Sequence, residues 1–162
     1  MLKYISDSEE KTKNIASKLA CFLTSGVVIC LYGNLGAGKT VFASGLSTGL
    51  GLTEHISSPT FTIVNEYIGK YPFYHFDVYR INSDEFLDMG GDEYLFNQGI
   101  VLIEWPENII DVLPHERLDI YINYPPFSAE DNNVNINKRE IIFKPLGKKY
   151  EEIIEKLLEV IK

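Results

Sequence analysis

The chain has 162 residues, of which 45% are hydrophobic and 23% charged, and its formal net charge is −8. This length and hydrophobic content indicate one compact domain, residues 1–162, with a core of its own. The acidic balance argues against a free-standing nucleic-acid binder, which needs a basic face to neutralise phosphates. No apolar run approaches the roughly 18–20 residues of a membrane-spanning helix, so we expect no membrane association.

The cysteines and the N-terminus predict a cytoplasmic location. Cys21 and Cys30 lie in apolar stretches, which is typical of buried free thiols in a reducing compartment. The polar segment Met1 to Glu10 has no signal-peptide core. The sequence contains neither a C-x-x-C pair nor a Cys/His cluster, so it gives no reason to expect a zinc site.

In chain order, the first elements predicted are a helix, a strand and a second helix. Ser6 and Glu9 have capping-box spacing, and apolar residues at helical spacing then predict an amphipathic helix over residues 8–24. The β-branched run Val27–Tyr32 predicts a buried strand. A second helix is expected over residues 40–50.

The rest of the chain predicts a hairpin followed by alternating helices and strands. The predicted strands are 60–68, 73–79, 100–103, 117–123 and 139–144, and the predicted helices are 84–89, 92–96, 106–112 and 149–161. Residues 124–138, rich in Pro and Asn, predict a loop. Alternating strands and helices indicate an α/β domain, and the hairpin makes its sheet mixed, mainly parallel, with helices on both faces.

Residues 33–40 read GNLGAGKT, which matches the phosphate-binding pattern G-x-x-x-x-G-K-[ST] between a predicted strand and a predicted helix. Glycines let backbone N–H groups approach phosphate oxygens, and the helix N-terminus adds a partial positive charge. Lys39 then supplies a full charge at the β- and γ-phosphates, and the Thr40 hydroxyl suits Mg²⁺. The candidate nucleotide-binding residues are Gly33, Asn34, Leu35, Gly36, Ala37, Gly38, Lys39 and Thr40.

A P-loop enzyme also needs a carboxylate at the end of a buried strand, and two positions compete. Glu104 follows the clean apolar run 100–103, so it is the better candidate for the metal side. Asp77 ends the less regular run 72–76, and it is the candidate for orienting water or a magnesium-bound water. Either side chain could instead be an ordinary solvated acid at a strand end.

Other polar and aromatic residues lie near these positions in the sequence. Thr60 and Thr62 follow a proline turn, where P-loop switches sense the γ-phosphate, although ordinary strand threonines would look the same. Trp105 directly follows Glu104. His75 precedes Asp77 by two residues, so it could face the same side of the strand, and a structural role is the interpretation we favour.

Five segments together resemble one known family. They are GNLGAGKT (33–40), SPTFTIVNEY (58–67), HFDVYR (75–80), EFLDMGGDEY (85–94) and IEWPE (103–107). On these segments, in this order and spacing, the chain resembles the TsaE family (older name YjeE), small bacterial ATPases needed to make threonylcarbamoyladenosine in tRNA. The second and third segments are more specific than the phosphate loop.

The resemblance implies a single-domain P-loop NTPase fold that binds ATP and Mg²⁺ and hydrolyses ATP weakly when alone. Carried over by position, Thr40 and Glu104 would ligate Mg²⁺. Lys39 would bind the phosphates, and Asp77 would be the second acidic residue needed for hydrolysis. Arg139 would lie near the nucleotide base.

The resemblance also implies partners and a moving segment. The chain would dock onto a heterodimer of TsaB and TsaD, in which TsaD transfers the threonylcarbamoyl group to adenosine. Residues 58–67 would be a switch-like segment that couples nucleotide state to these partners. The tRNA would be reached only through the complex, in keeping with the acidic charge of this chain.

Two other functions share the phosphate loop. A small-molecule or nucleotide kinase needs a lid of arginines to clamp the transferred phosphoryl group. The chain has only Arg80, Arg117 and Arg139, spread through the sequence, which counts against a kinase. A nucleotide-binding regulator without turnover is the third possibility. The intact set of Lys39, Thr40, Asp77 and Glu104 argues only mildly against it.

Overall fold

The computed structural model describes residues 1–53, 56–125 and 136–161, and the strands in this part of the chain form one seven-stranded sheet. In chain order the strands are β1 (Leu2–Ser6), β2 (Val27–Tyr32), β3 (Val64–Tyr67), β4 (Phe73–Asp77), β5 (Ile100–Glu104), β6 (Arg117–Asn123) and β7 (Arg139–Leu146). Their order across the sheet is β1-β7-β6-β2-β5-β4-β3. Strands β1, β2, β4, β5 and β6 run in one direction, and β3 and β7 run in the other.

Helices cover both faces of this sheet. They are α1 (Glu9–Ala20), α2 (Lys39–Gly49), α3 (Ser83–Asp88), α4 (Gly91–Leu95), α5 (Lys148–Ile161) and a 3₁₀ segment, Pro106–Val112. One core, which includes Leu19, Leu46 and Leu157, lies between the sheet and α1, α2 and α5. A second core on the opposite face includes Phe86 and Ile109. The predicted α/β fold, with a mixed, mainly parallel sheet flanked by helices, is confirmed.

Strand β2 lies in the middle of the sheet and contributes to both cores. Ile29 and Leu31 belong to the first core, and Val28 and Cys30 belong to the second. A strand buried on both faces needs an unbroken apolar run, which explains why this element is so clear in the sequence. Burial also raises the pKa of the Cys30 thiol. The expectation that both cysteines are buried is wrong for Cys21, which is exposed.

The N-terminal segment differs from the sequence prediction. Residues 2–6 form β1, an edge strand antiparallel to β7, which was not predicted because its pairing partner lies some 130 positions along the chain. The predicted cap at Ser6 is wrong, because this residue ends β1 and its hydroxyl bonds Thr12 Oγ1 at 2.8 Å. Ser8 caps α1 instead, accepting a bond from the Lys11 N–H. The helix ends at Ala20, short of residue 24.

The hairpin is shorter than predicted. Strand β3 begins only at Val64, because the backbone from Pro59 to Ile63 forms a turn in which the Ile63 N–H donates to the Pro59 carbonyl at 2.8 Å. Strand β4 ends at Asp77 rather than at residue 79. The antiparallel pairing of the two strands is as predicted. Near residue 106, the predicted helix is a kinked 3₁₀ segment.

The remaining predicted strands and helices agree with the structure to within one or two residues at their ends. The helix predicted over residues 84–89 begins with an Asn82 and Glu85 capping box. Most of the loop predicted over residues 124–138 lies outside the described residues. Within the described chain, no helix is both long and apolar enough to cross a membrane.

Helices α1 and α2 pack closely because α2 presents a glycine to α1. A Cβ atom on Gly45 would collide with the backbone of Lys13, including its carbonyl oxygen. This close approach fixes α2, and therefore the phosphate loop that precedes α2, against the rest of the domain.

Replacing Gly45 with alanine is expected to destabilise the protein by about 1–2 kcal/mol. The free-energy cost of overpacking at this contact should exceed the roughly 1 kcal/mol by which alanine favours a helix over glycine. Urea unfolding measures the difference. Thr48→Ala, at an exposed position of the same helix, is the control and should change stability by less than about 0.5 kcal/mol. A Gly45→Ala variant at least as stable as the wild type would contradict this account of the packing.

Candidate functional site

The glycine loop joins β2 to α2 and lies against β6. Gly33 has φ 151°, and a Cβ atom there would lie 2.5 Å from the Ile122 carbonyl oxygen, so only glycine fits. Gly38 precedes α2 with φ 107° and provides no side-chain cap. The first N–H groups of α2 are therefore left for another acceptor, as in helix N-termini that bind anions.

A cavity of about 460 Å³ opens beside this loop. It lies where the parallel strands β4 and β5 end and α2 begins, which is the usual ligand position in an α/β sheet. The lining residues are Leu35, Gly36, Gly38, Lys39, Thr40, Val41, Ser58, Thr60, Asp77, Tyr79, Arg80, Glu104 and Trp105. The structure therefore brings both candidate carboxylates to the phosphate loop, whereas Gly33, Asn34 and Ala37 support the loop from outside the cavity lining.

The Lys39 ammonium group lies over the glycine loop. Its Nζ donates to the carbonyl oxygens of Gly33 at 2.5 Å and Asn34 at 3.2 Å. The same atom lies 3.8 Å from the centroid of the Trp105 ring. Burial lowers the pKa of Lys39, although nearby Glu104 and other carboxylates oppose the shift.

Asp77 and Glu104 are direct neighbours across the parallel β4–β5 pair. Asp77 Oδ2 accepts hydrogen bonds from Ser58 Oγ at 3.0 Å and from Thr60 Oγ1 at 3.3 Å. Its Oδ1 accepts the Tyr79 N–H at 3.1 Å. The carboxylate is therefore tied to the segment that precedes β3, a link that the separation of these residues in the sequence did not reveal.

Glu104 has a different partner. His75 Nε2 lies 2.8 Å from Glu104 Oε1, and both side chains are buried. In the described part of the chain, His75 Nδ1 is buried and finds no hydrogen-bond partner. His75 lies on the side of β4 that Asp77 occupies, as its two-residue spacing predicts, but its contact with Glu104 was missed because it depends on the β4–β5 register.

The two threonines of the proline turn have different positions. Thr60 lines the cavity, whereas Thr62 is exposed and its Oγ1 donates a hydrogen bond to Asn65 Oδ1 at 2.9 Å. Between them, Phe61 is 88% exposed, and the Arg80 guanidinium lies 5.3 Å from its ring centroid. Of this pair, only Thr60 is positioned to respond to a ligand in the cavity.

Two non-glycine residues near the cavity have left-handed backbone angles, Ile63 at φ 67° and Trp105 at φ 64°. Each such position costs about 1–3 kcal/mol and persists only where the surroundings enforce it. Ile63 accepts the Asp77 N–H at 2.8 Å, and Trp105 follows Glu104 directly. Both unfavourable backbone angles therefore lie beside the two carboxylates, at the turn that ends at Ile63 and at the residue whose indole ring lies over Lys39.

Arg139 lies behind the glycine loop and outside the main cavity. Its Nε donates to the Ala37 carbonyl at 2.8 Å, and its guanidinium lies 4.1 Å from the Tyr124 ring centroid. It also lines a smaller pocket of about 80 Å³ beside Gly36 and Val41. Arg139 therefore braces the loop backbone, and its expected proximity to a nucleotide base stays a prediction.

The donor set suits Mg²⁺ bound together with a nucleotide. Magnesium is held by one or two carboxylates plus phosphate oxygens and water rather than by an all-protein cage. Thr40, Asp77 and Glu104 line one cavity. Among the described residues, no group of three or more His, Cys, Asp or Glu side chains is arranged to hold a metal alone.

A glycine loop between a central strand and a helix, with acids at the ends of two parallel strands, defines the fold as that of a P-loop NTPase domain. The family model "Threonylcarbamoyl adenosine biosynthesis protein TsaE" matches residues 6–132. The chain therefore belongs to the TsaE family.

Individual relatives agree with this assignment. The chain is 46% identical over 157 residues to the tRNA threonylcarbamoyladenosine biosynthesis protein TsaE of Bacillus subtilis, covering 96% of this chain and 93% of that protein. It is 39% identical over 120 residues to the protein of that name from Treponema pallidum, covering 74% and 89%. The crystal structure of Bacillus subtilis YdiB superposes with a TM-score of 0.83 at 40% identity, covering 99% of this chain and 96% of that one.

Proposed function

We propose that this chain binds ATP and Mg²⁺ in the 460 Å³ cavity, hydrolyses the ATP, and supports threonylcarbamoyladenosine synthesis in tRNA together with TsaB and TsaD. The observation that carries the proposal is the convergence of Lys39, Thr40, Asp77 and Glu104 on one cavity at the start of α2. These are the groups that phosphoryl chemistry needs.

The glycine loop and Lys39 bind the phosphates. The N–H groups at the start of α2 would donate to the phosphate oxygens, and the Lys39 ammonium would neutralise charge on the β- and γ-phosphates. To reach them, Lys39 exchanges the Gly33 and Asn34 carbonyls for phosphate oxygens. This exchange is favourable because phosphate oxygens carry more negative charge than carbonyl oxygens.

Thr40 and Glu104 would hold Mg²⁺, and Asp77 would orient the attacking water. When bound, Mg²⁺ neutralises charge that develops on the phosphate oxygens. Because Asp77 is bonded to Ser58 and Thr60, a change at its carboxylate is transmitted to residues 58–67. This connection supports a switch-like role for that segment.

The role in tRNA modification rests on the family and on the outer surface of the site. The relatives named above are tRNA threonylcarbamoyladenosine biosynthesis proteins. Leu35 and Phe61, each 88% exposed, project near the cavity, where a partner protein could cover them. The net charge of −8 argues against direct binding of tRNA by this chain, in keeping with a route to tRNA through partner proteins. A cytoplasmic location stays a prediction.

The arginines argue against a kinase. Arg117 pairs with Asp119 at 2.8 Å, and Arg139 bonds the loop carbonyls. Arg80 lines the cavity without a second arginine beside it. The chain thus offers no arginine lid over a transferred phosphoryl group.

Multiple-turnover threonylcarbamoylation of tRNA by TsaB and TsaD tests the proposal. With this chain and ATP present, each TsaB–TsaD complex is expected to modify many tRNA molecules. Without the chain, or with its Lys39→Ala variant, modification is expected to stop after about one round. A chain that hydrolyses ATP yet leaves the number of rounds unchanged would contradict the proposed role in tRNA modification and retain the ATPase.

A further inference from the structure

We infer that His75 is a positioning residue for the magnesium site: its Nε2–H holds Glu104 Oε1 so that Oε2 is presented to the cation. The inference rests on the proposed function, since it assumes that Glu104 binds Mg²⁺. His75 itself lies outside the cavity lining and acts only through Glu104.

The sheet register makes this contact possible. His75 is paired with Leu102, and Asp77 with Glu104, across parallel strands. Side chains two residues apart on a strand share a face, so His75 and Glu104 lie on one face, one step apart along the strands. A glutamate has several rotatable bonds, and a single hydrogen bond at 2.8 Å selects one arrangement of them. The orientation of Glu104 is thereby fixed before a cation arrives.

The ring is placed to donate one hydrogen bond to Glu104. A carboxylate only accepts hydrogen bonds, so the 2.8 Å contact requires a hydrogen on His75 Nε2. A second hydrogen on Nδ1 would be a buried donor, and that atom has no partner among the described residues. The geometry thus places a donor on Nε2 against Glu104 Oε1 and leaves Nδ1 without a partner among the described residues.

The apolar surroundings of the His75 ring indicate that its ring nitrogens, and not only its packing, are needed at this position. His75 is fully buried, and its ring centroid lies 6.3 Å from that of Phe73 on the same strand. An apolar side chain would fill this space without an unpaired Nδ1, which costs free energy. The free-energy cost of the unpaired Nδ1 is explained if the Nε2–H donor is needed to hold Glu104. Side chains that bond metal ligands have this role at other metal sites.

Two amides that differ by one methylene group separate positioning from packing. In His75→Gln the side-chain N–H₂ can reach about the position of Nε2, whereas in His75→Asn it reaches only that of Nδ1. Calorimetry measures the affinity for a non-hydrolysable ATP analogue at increasing Mg²⁺ concentrations, with EDTA as the metal-free reference. The quantity compared between variants is the Mg²⁺ concentration at which half of the Mg²⁺-dependent gain in affinity is reached. Phe73→Leu is the control, because it disturbs the same buried face without touching the hydrogen bond.

His75→Gln should keep the Mg²⁺ requirement within about threefold of wild type, whereas His75→Asn should need about 10–100 times more Mg²⁺. Affinity in EDTA should stay unchanged in both variants. Phe73→Leu should lower the melting temperature and leave the Mg²⁺ requirement unchanged. If His75→Asn does not fold, His75→Met, which fills the space without a donor, takes its place.

A wild-type Mg²⁺ requirement in His75→Asn, or an equal increase in both amide variants, would overturn the inference. Glu104→Gln separates this failure from failure of the proposed function. If Glu104→Gln raises the Mg²⁺ requirement and His75→Asn does not, only the positioning role is wrong. If Glu104→Gln also leaves the requirement unchanged, Glu104 is not the metal carboxylate, and the inference fails together with that assignment.

Discussion

Replacing Lys39 with alanine is expected to weaken nucleotide binding by at least about 100-fold and to abolish ATP hydrolysis. The variant loses the one ammonium group at the start of α2, and charge-assisted hydrogen bonds of this kind contribute about 1.5–3 kcal/mol each. In the structure, Lys39 Nζ already lies over the loop, 2.5 Å from the Gly33 carbonyl oxygen. Calorimetry with ADP and a steady-state assay of ATP turnover measure the two losses.

The same substitution should leave the fold intact. Lys39 is buried, and burial lowers its pKa, so the protein bears a cost for keeping the charged form there. Removing the ammonium relieves that cost and offsets the loss of its bonds to the loop carbonyls. We therefore expect the melting temperature to change by only a few degrees while binding is lost, a separation typical of functional residues that oppose stability.

Lys70→Ala is the matched control for Lys39→Ala. Lys70 is exposed, and its Nζ lies 5.4 Å from the Tyr71 ring centroid, so this variant also removes a lysine beside an aromatic ring. It lies outside the lining of the cavity and should bind nucleotide as the wild type does. If Lys39→Ala bound ADP as tightly as Lys70→Ala, the phosphate site would have to lie elsewhere.

The parts of the site that the sequence predicted are those with local signals. Strand β2 and the glycine loop are contiguous and each has a pattern that needs no knowledge of the fold. Glu104 ends a run of four apolar residues, which marks it as the end of a buried strand. Each of these signals comes from a single strand or a single turn, so it can be recognised in a short stretch of sequence without knowledge of the fold.

The parts that the sequence did not predict depend on how distant elements meet. The His75–Glu104 pair requires the β4–β5 register, which joins residues 29 positions apart. The bonds from Ser58 and Thr60 to Asp77 require the turn that ends at Ile63. Periodicity predicts which face a side chain occupies, but not which neighbour it meets there.

The sequence did not predict strand β1, for a related reason. Its five residues alternate only weakly, and most of their stability comes from pairing with β7 at the far end of the chain. Edge strands are short and carry polar residues, which makes them resemble the start of a helix. The error moved the predicted cap from Ser8 to Ser6 and left the predicted site residues unaffected, because β1 is an edge strand and four strands separate it from β4.

Replacing Glu104 with glutamine is expected to raise the Mg²⁺ requirement for nucleotide binding by about 100-fold or more and to reduce Mg²⁺-dependent hydrolysis to a comparable extent. The substitution removes one negative charge from the proposed metal ligand, and such a charge on a metal ligand is worth several kcal/mol. It also keeps the shape, since a glutamine Oε1 can still accept the hydrogen bond from His75. The variant should therefore fold normally, which a thermal melt checks.

Asp77→Asn is the companion that separates the two carboxylates. Both lie at the ends of neighbouring strands and both line the cavity, so their geometry alone gives them similar access to a cation. Their partners differ: Glu104 is fixed by His75, whereas Asp77 is bonded to Ser58 and Thr60 of the preceding segment. The Asp77 carboxylate already accepts three hydrogen bonds, from Ser58, Thr60 and the Tyr79 N–H, whereas the partner found for Glu104 in the described structure is His75. Glu104 therefore has more free acceptor capacity for a cation, and the bonds of Asp77 couple it to residues 58–67.

We therefore expect Asp77→Asn to keep the wild-type Mg²⁺ requirement within about threefold and to lose ATP turnover by about 100-fold, as for a missing general base or water-orienting group. Calorimetry with the non-hydrolysable analogue and single-turnover hydrolysis, run on both variants, give the two quantities independently. A raised Mg²⁺ requirement in Asp77→Asn together with an unchanged one in Glu104→Gln would exchange the two roles. Asp77 would then be the metal ligand, and the Ser58–Thr60 segment would respond to the cation itself rather than to the attacking water.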